Sequence, residues 1–224
     1  IGYSLSNRLD LTANYYWGSI AGADSLSSQP FNRKRNLSFK SLISEVSLRL
    51  ELKMFRGYKG RTINPFIYGG GGVFFYNPKA EFQGKNIALQ PLGTEGQTIP
   101  GNETGVYELT QGSVVLGMGI YFRVNENLKI KVDAGTHITF TDYLDDVSGT
   151  FPDSIKLAGT SQGELALQLS DRGNVPGYPR EGAVRGNPDA NDGWIHFGVG
   201  IHYNLGGDMR FRSLFGKKAS CPAY

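Results

Sequence analysis

Three carboxylates lie close together in the stretch TDYLDDVS, residues 141–148. Clustered carboxylates in a loop suit a hard cation, so Asp142, Asp145 and Asp146 are a candidate Ca²⁺ site. Ca²⁺ normally takes about six or more oxygen ligands, however, and the stretch lacks the glycine and terminal glutamate of a known calcium loop. We favour the alternative, an acidic loop held by backbone hydrogen bonds and basic neighbours. The sequence predicts no resident metal and no cofactor.

The histidines raise the question of catalysis. His137 shares one face of a strand-like segment with Asp133 and Thr139, and His196 shares a face with His202. Catalysis needs a nucleophile, a base and an orienting group that converge, and the chain contains no Gly-x-Ser-x-Gly motif. We therefore expect His137 to be a hydrogen-bonding side chain and the protein not to be an enzyme.

The segment 209–224, MRFRSLFGKKASCPAY, is the strongest candidate for a binding function. It interleaves basic with large apolar side chains, and aromatic residues and Arg dominate the energies of protein interfaces. A disordered tail is the alternative. Cys221 is the only cysteine, so it forms no internal disulfide but could form an intermolecular one. The candidate partner-binding residues are Arg210, Phe211, Arg212, Leu214, Phe215, Lys217, Lys218, Cys221 and Tyr224.

β-Strands position the other candidates, and the clearest strand is residues 128–142. Apolar side chains occupy the even positions from Leu128 to Phe140, and polar ones such as Lys131 and His137 occupy the odd positions. A period of two is that of a strand. A strand of this length reaches roughly 50 Å at about 3.3 Å per residue. When it is tilted near 45°, it rises roughly 35 Å, enough to cross the hydrocarbon core of a bilayer.

The connections between the predicted strands alternate strictly between short and long. Seven strands are predicted, and no helix; their ranges are 1–3, 9–17, 39–54, 65–76, 113–123, 128–142 and 194–205. The short turns are 4–7, 55–64 and 124–127, and the long loops are 18–38, 77–110 and 143–191. Transmembrane barrels have this asymmetry, with short periplasmic turns, and bacterial ones have an even number of strands. We therefore expect an eighth strand upstream of residue 1.

The sequence favours a membrane barrel over a soluble one. No run of apolar residues is long enough for a transmembrane helix, and a net charge of +3 is too mild to indicate nucleic-acid binding. A soluble eight-stranded barrel would turn its apolar face inward around a ligand. The predicted strands are longer than soluble barrels use, and their polar faces carry charges, of which each Arg or Lys would cost roughly 2–4 kcal/mol at the midplane of the lipid. These charges are Glu45, Arg49, Glu51, Lys53, Lys129, Lys131 and Asp133.

Several motifs resemble an outer-membrane β-barrel family of Bacteroidota that includes the PorG subunit of the type IX secretion system. The motifs are NRKRNLSFKS (32–41), FFYNPKA (74–80), PLGTEGQ (91–97), TFTDYLDDVSGT (139–150), LSDRG (169–173) and DGW (192–194). The resemblance implies an eight-stranded outer-membrane barrel which, in the PorG case, associates with the periplasmic PorK–PorN ring of the secretion and gliding machinery. The family's first strand is missing here.

Two functions follow as expectations. The first is an anchor: a barrel, residues 1–205, embedded in outer-membrane lipid with both termini in the periplasm. Its tail, residues 206–224, and its short turns would hold PorK/PorN-like ring proteins, with a possible intermolecular disulfide through Cys221. The second is a small barrel whose extracellular loops, 77–110 and 143–191, bind a surface protein or glycan.

Overall fold

The computed structural model describes residues 1–56, 61–102, 104–173 and 181–204. These residues form antiparallel β-structure with few helices, which confirms the predicted all-β class. The strands are β1 Gly2–Ser4, β2 Leu9–Ala23, β3 Ser38–Lys53, β4 Ile63–Phe82, β5 Lys85–Ala88, β6 Thr110–Arg123, β7 Leu128–Thr139 and β8 Gly193–Tyr203. The helices are α1 Pro30–Arg35, α2 Ser154–Ala158 and α3 Gly163–Ser170. None of the described helices could span a bilayer.

The sheet is an up-and-down meander in the order β1-β2-β3-β4-β6-β7-β8, with β5 paired to the outer end of β4. All seven predicted strands are present in it. Among the described residues, hydrogen bonds do not join β8 back to β1 or β2, so the sheet is open rather than the predicted closed barrel. It nevertheless curls around an interior, because the ring of Tyr16 on β2 lies 6.5 Å from that of Trp194 on β8.

Several strands differ in length from their predicted ranges. β2 continues past Trp17 to Ala23 and β4 continues past Tyr76 to Phe82, so the predicted loops 18–38 and 77–110 begin too early. β4 then pairs with β5 across a turn in which Gln83 has a positive φ of 49°. β7 ends at Thr139 instead of Asp142, because the Thr141 carbonyl accepts from the N–H of Asp192, just before β8.

The absence of helices was predicted wrongly. α1, α2 and α3 all lie within long connections, and the longest of them, Gly163–Ser170, has eight residues. A helix this short gives too few turns for the 3.6-residue pattern to stand out in the sequence. α2 is instead marked by its cap, because the Asp153 carboxylate accepts the N–H groups of Ile155 and Lys156 at 2.9 and 3.1 Å.

The glycine run at residues 69–72 pairs without interruption with β3 on one side and β6 on the other. Its glycines serve close packing, since a Cβ on Gly70 would collide with the carbonyl oxygen of Leu48. The sheet can therefore coil tightly at β4 without losing its ladder.

Polar and aromatic side chains together line the inside of the curled sheet, and apolar ones cover most of the outside. On β3, Glu45 and Glu51 are fully buried, whereas Leu48 and Leu50 are exposed. On β8 the outward side chains are 68–85% exposed: Ile195, Phe197, Val199 and Ile201. β7 follows the predicted alternation, with the odd positions inside. A soluble barrel has the opposite arrangement.

Candidate functional site

The interior is organised around Glu45, which lies on β3. Its Oε2 accepts the hydroxyl of Ser113 on β6 at 2.9 Å and is 2.7 Å from His137 Nδ1 on β7. Its Oε1 faces the Arg49 guanidinium at 3.7 Å. Every one of these side chains is buried. The period of two puts them on the inward face, and the sheet's curl brings β3 opposite β7.

A carboxylate–imidazole chain continues from Glu45 across the interior. His137 Nε2 lies 2.9 Å from His196 Nδ1, and His196 Nε2 lies 3.2 Å from Asp133 Oδ2. The Tyr68 hydroxyl is 3.2 Å from both Asp133 and His196. These contacts connect side chains of β3, β4, β7 and β8 in one continuous row across the interior.

Glycines on adjacent strands make room for Tyr68. Gly117 on β6 and Gly135 on β7 are register partners, and a Cβ on either would collide with the Tyr68 hydroxyl. The missing side chains let this tyrosine cross to Asp133 on β7. The need for such close packing explains part of the chain's high glycine content.

A second set of interior charges lies nearer the short turns. Glu51 accepts Lys131 Nζ and the Tyr121 hydroxyl, each at 2.7 Å. Lys53 pairs with Asp10 at 2.5 Å. These groups neutralise one another inside the sheet, as the sequence predicted. The arrangement positions charges and fills space; it does not present a nucleophile to a substrate, since Ser113 donates to Glu45 and not to an imidazole.

The long connections fold together over one end of the sheet as a compact domain, which we call the cap. It comprises the described residues of 24–37, 83–109 and 140–192. The buried apolar cluster that holds it together joins β4 and β5 to α2 and α3 through Ala80, Leu89, Leu92, Leu157, Ala166 and Leu169. Both long loops that were predicted to bind a partner therefore contribute to a packed structure.

Arg185 is the central residue of the cap, and only 2% of it is exposed. Its guanidinium donates to Glu95 Oε1 at 2.9 Å and to the carbonyl oxygen of Asp146 at 2.5 Å. Its own carbonyl accepts from Arg35. Through its side chain and its backbone carbonyl, Arg185 thus contacts both of the other loops. Sequence reasoning missed Arg185, since it lies in no periodic segment and no motif.

The motifs PLGTEGQ and TDYLDDVS meet in the cap. Thr94 and Tyr107 donate their hydroxyls to the Asp146 carboxylate at 2.5 and 2.6 Å. Glu95 accepts the N–H groups of Ser148 and Gly149 at 2.9 and 3.0 Å. PLGTEGQ was noted only for its resemblance to a known family, whereas TDYLDDVS was also a candidate calcium site. Their contacts show that they form one structural unit.

The three carboxylates of the candidate calcium site point to different partners. Asp146 is engaged as above, Asp145 accepts the N–H of Val147, and Asp142 Oδ2 is buried without a hydrogen-bond partner. Burial raises the pKa of Asp145 to about 7 and that of Asp142 to about 6, and the charge of Asp192 adds to both. Within the described residues, no group of three or more His, Cys, Asp or Glu side chains is arranged to hold a metal.

A cavity of about 450 Å³ opens at the cap between the end of β2, α1 and the loop after β7. Its polar wall includes the Asp24–Arg35 ion pair, whose two contacts are both 2.7 Å, together with Asp145. Its apolar wall includes Leu37 and Phe39. This cavity combines a hydrophobic side with a fixed charged side, as small-molecule sites commonly do.

The predicted partner-binding residues, 210–224, lie outside the described residues, as does the predicted domain boundary at residue 205. β8 ends beside the short turn that precedes β7, with the Asn204 N–H donating to the Asn127 carbonyl at 2.7 Å. Asn204, the last described residue, therefore lies at the end of the sheet opposite the cap.

A protein-family model described as Domain of unknown function (DUF6089) matches residues 2–167, which is more than half of the chain. No curated protein and no solved structure matches the sequence. The matched region contains β1 to β7 and most of the cap, including both motifs that meet there.

Proposed function

As the chain belongs to the family of the Domain of unknown function (DUF6089), we propose a function for this member: it is an outer-membrane β-barrel that anchors a periplasmic ring assembly of the type IX secretion and gliding machinery. The observation that carries the barrel proposal is the reversed polarity of the sheet. Its outward face is apolar over most of each long strand, and its inward face holds paired charges.

Water is a poor solvent for this outward face. Soluble monomers rarely expose contiguous apolar patches above a few hundred Å², yet here large apolar side chains are exposed on every long strand. We call this surface the apolar belt; on β3 it runs from Leu42 to Leu52. That distance is about 33 Å along the strand, or roughly 25 Å high at a 45° tilt, which matches the lipid-facing band of known barrels.

The interior supports a plug rather than a pore. An eight-stranded barrel is just wide enough for side chains to fill it, and Glu45, Glu51 and His137 are fully buried. Each buried charge has a partner of opposite sign or hydrogen-bond donors. Such a barrel does not conduct solutes, so we place its binding surfaces at its two ends. This favours an anchoring or docking role.

The proposed anchor uses the end of the sheet with the short turns. The tail leaves there, and it carries Phe211, Phe215 and Tyr224 beside four basic residues. Aromatic side chains bury much area at interfaces, and Arg pairs bidentately with carboxylates. The resemblance to the PorG-containing family supplies the kind of partner, a periplasmic ring. Cys221 would add a covalent link in an oxidising compartment.

The barrel proposal is tested with two matched Val→Arg substitutions. Val132 lies in the apolar belt, whereas Val124 lies in a short turn, and their exposed fractions are 39% and 56%. In lipid, Val132→Arg buries a charge at a cost of roughly 2–4 kcal/mol, so it should strongly reduce assembly into vesicles while Val124→Arg assembles normally. In water both exposed sites would accept Arg. Equal tolerance would therefore refute the membrane orientation.

The anchor is tested by truncation after Gly207 and, separately, by Cys221→Ser. Both variants should insert in the outer membrane, because neither change touches a described strand. Co-purification from mild detergent should show that truncation removes the periplasmic partners. If the truncated protein recovers them in equal yield, the anchor proposal is wrong. If Cys221→Ser alone has no effect, the disulfide is not needed but the docking remains.

The cavity in the cap favours a second candidate function, an outward-facing barrel that binds a surface protein or glycan. The cap is ordered and offers about 450 Å³ of space beside a fixed ion pair. The same truncation separates the two functions, since a ligand of the cap would be retained after the tail is removed.

A further inference from the structure

Two lysines face each other on the outside of the sheet, at the upper edge of the apolar belt. Lys40 on β3 and Lys79 on β4 are register partners, and both are exposed. On the same outward faces, the apolar belt lies next to them and includes Leu42 on β3 and Phe75 on β4, which are 49% and 47% exposed. The cap begins directly beyond them.

The pair is electrostatically unfavourable by itself. Residues directly opposite each other on antiparallel strands have Cβ atoms about 5 Å apart, and like charges there are destabilising. Within the described residues, neither ammonium forms an ion pair, including with Glu81, two residues beyond Lys79 on the same face. Two unpaired cations at this spacing form a site for a bridging anion.

The surroundings of the pair determine which anion fits. A free anion would use the two ammonium groups alone. A lipid with a phosphorylated headgroup would place its phosphate between them and its acyl chains along Leu42 and Phe75. Only such a lipid complements both the charge and the apolar surface. We propose that Lys40 and Lys79 bind the phosphorylated headgroup of a lipid in the membrane leaflet on the cap side.

This inference rests on the proposed membrane barrel and gives it an orientation. The lysine pair lies at the cap end of the belt, so phosphate-bearing lipids of the outer leaflet would fix the height at which the barrel sits. The headgroup would also relieve the repulsion between β3 and β4, and it would link the edge of the membrane to the base of the cap.

The experiment uses the full chain in non-ionic detergent and native mass spectrometry to count retained lipids. The probes are dioleoyl phosphatidic acid, dioleoyl phosphatidylcholine and inorganic phosphate. The test variant is Lys40→Gln with Lys79→Gln. The matched control is Lys34→Gln with Lys85→Gln, which removes two exposed cap charges of the same kind. Insertion of every variant into phosphatidylcholine vesicles is measured in parallel.

We expect wild type to retain phosphatidic acid in preference to phosphatidylcholine. The Lys40/Lys79 variant should bind phosphatidic acid at least about tenfold more weakly than wild type, because two charge-assisted contacts are lost. The control should match wild type. Three results would overturn the inference: equal binding by the test variant, an equal loss in the control, or competition by inorganic phosphate at the same concentration. If the proteins insert normally in those cases, the barrel stands and only the lipid site fails; if wild type does not insert, both proposals fail.

Discussion

The interior and the cap both depend on buried charges, but they are built in opposite ways. Interior charges lie on regular strands, so the register fixes each one, and Glu45, Glu51 and Asp133 each have two or more partners. Cap charges lie on irregular loops, and Arg185 contacts both of the other loops, Glu95 through its side chain and Arg35 through its carbonyl. Regular strand register therefore positions the interior charges, whereas contacts between distant loops position those of the cap.

This difference explains what the sequence could predict. The period of two was enough to place Glu45, Arg49, Glu51, Lys131 and Asp133 on the polar faces of their strands, because successive side chains of a strand point to opposite sides. The strand ranges predicted from this pattern also led to the strict alternation of short and long connections. What it could not give was the extent of strands such as β2 and β4, whose ends are set by pairing with β3 and β5.

The sequence of the cap has no periodic pattern comparable to the alternation in the strands. Its helices are too short to show a period, and Glu95 and Arg185 are 90 residues apart in the chain. Contacts at that separation depend on the sheet first bringing the loops together. The composition of the acidic stretch made it a candidate metal site. In the structure, Asp146 instead joins PLGTEGQ to the third loop. Composition therefore drew attention to the right residues, but it did not show that they hold the loops of the cap together.

The largest effect is expected from Arg185→Met. This change leaves Glu95 and Asp146 buried without their cation, and breaking a buried ion pair in this way costs about 3–5 kcal/mol. Amide hydrogen exchange should speed up for residues 94–97 and 143–149, which these two carboxylates organise. Amides of β3 around Glu45 should keep their protection, because no interior contact involves Arg185.

The control for this change is Arg33→Met, which removes an exposed guanidinium from α1. It should leave exchange in the cap almost unchanged, since exposed substitutions usually have small effects. If Arg185→Met instead exposes β3 to the same degree as the cap, the two regions unfold as one unit. The contrast between an interior positioned by strand register and a cap positioned by contacts between distant loops would then be wrong.

A smaller effect is expected from pH, and it should again be confined to the cap. Burial raises the pKa of Asp145 from its usual 3.8 to about 7, with Asp192 adding to the rise and Arg35 and Arg185 opposing it. The folded state therefore binds more protons than the unfolded state between these two values. Stability of the cap must fall as pH rises through this window. Exchange of cap amides, corrected for intrinsic rates, should be slower at pH 5 than at pH 8 by roughly a hundredfold, because stability falls about tenfold per pH unit between pH 5 and the folded pKa of about 7.

Asp145→Asn should remove most of this pH dependence and protect the cap at pH 8, because the amide oxygen can still accept the N–H of Val147 while carrying no charge. Asp153→Asn is the matched control. Backbone N–H groups and Lys156 hold the pKa of Asp153 below its usual value, so its contribution is present above pH 4 and is lost only in stronger acid. It should leave the change between pH 5 and pH 8 intact. If both variants behave alike, the pH dependence comes from another buried carboxylate of the cap, such as Asp142, whose pKa burial raises to about 6.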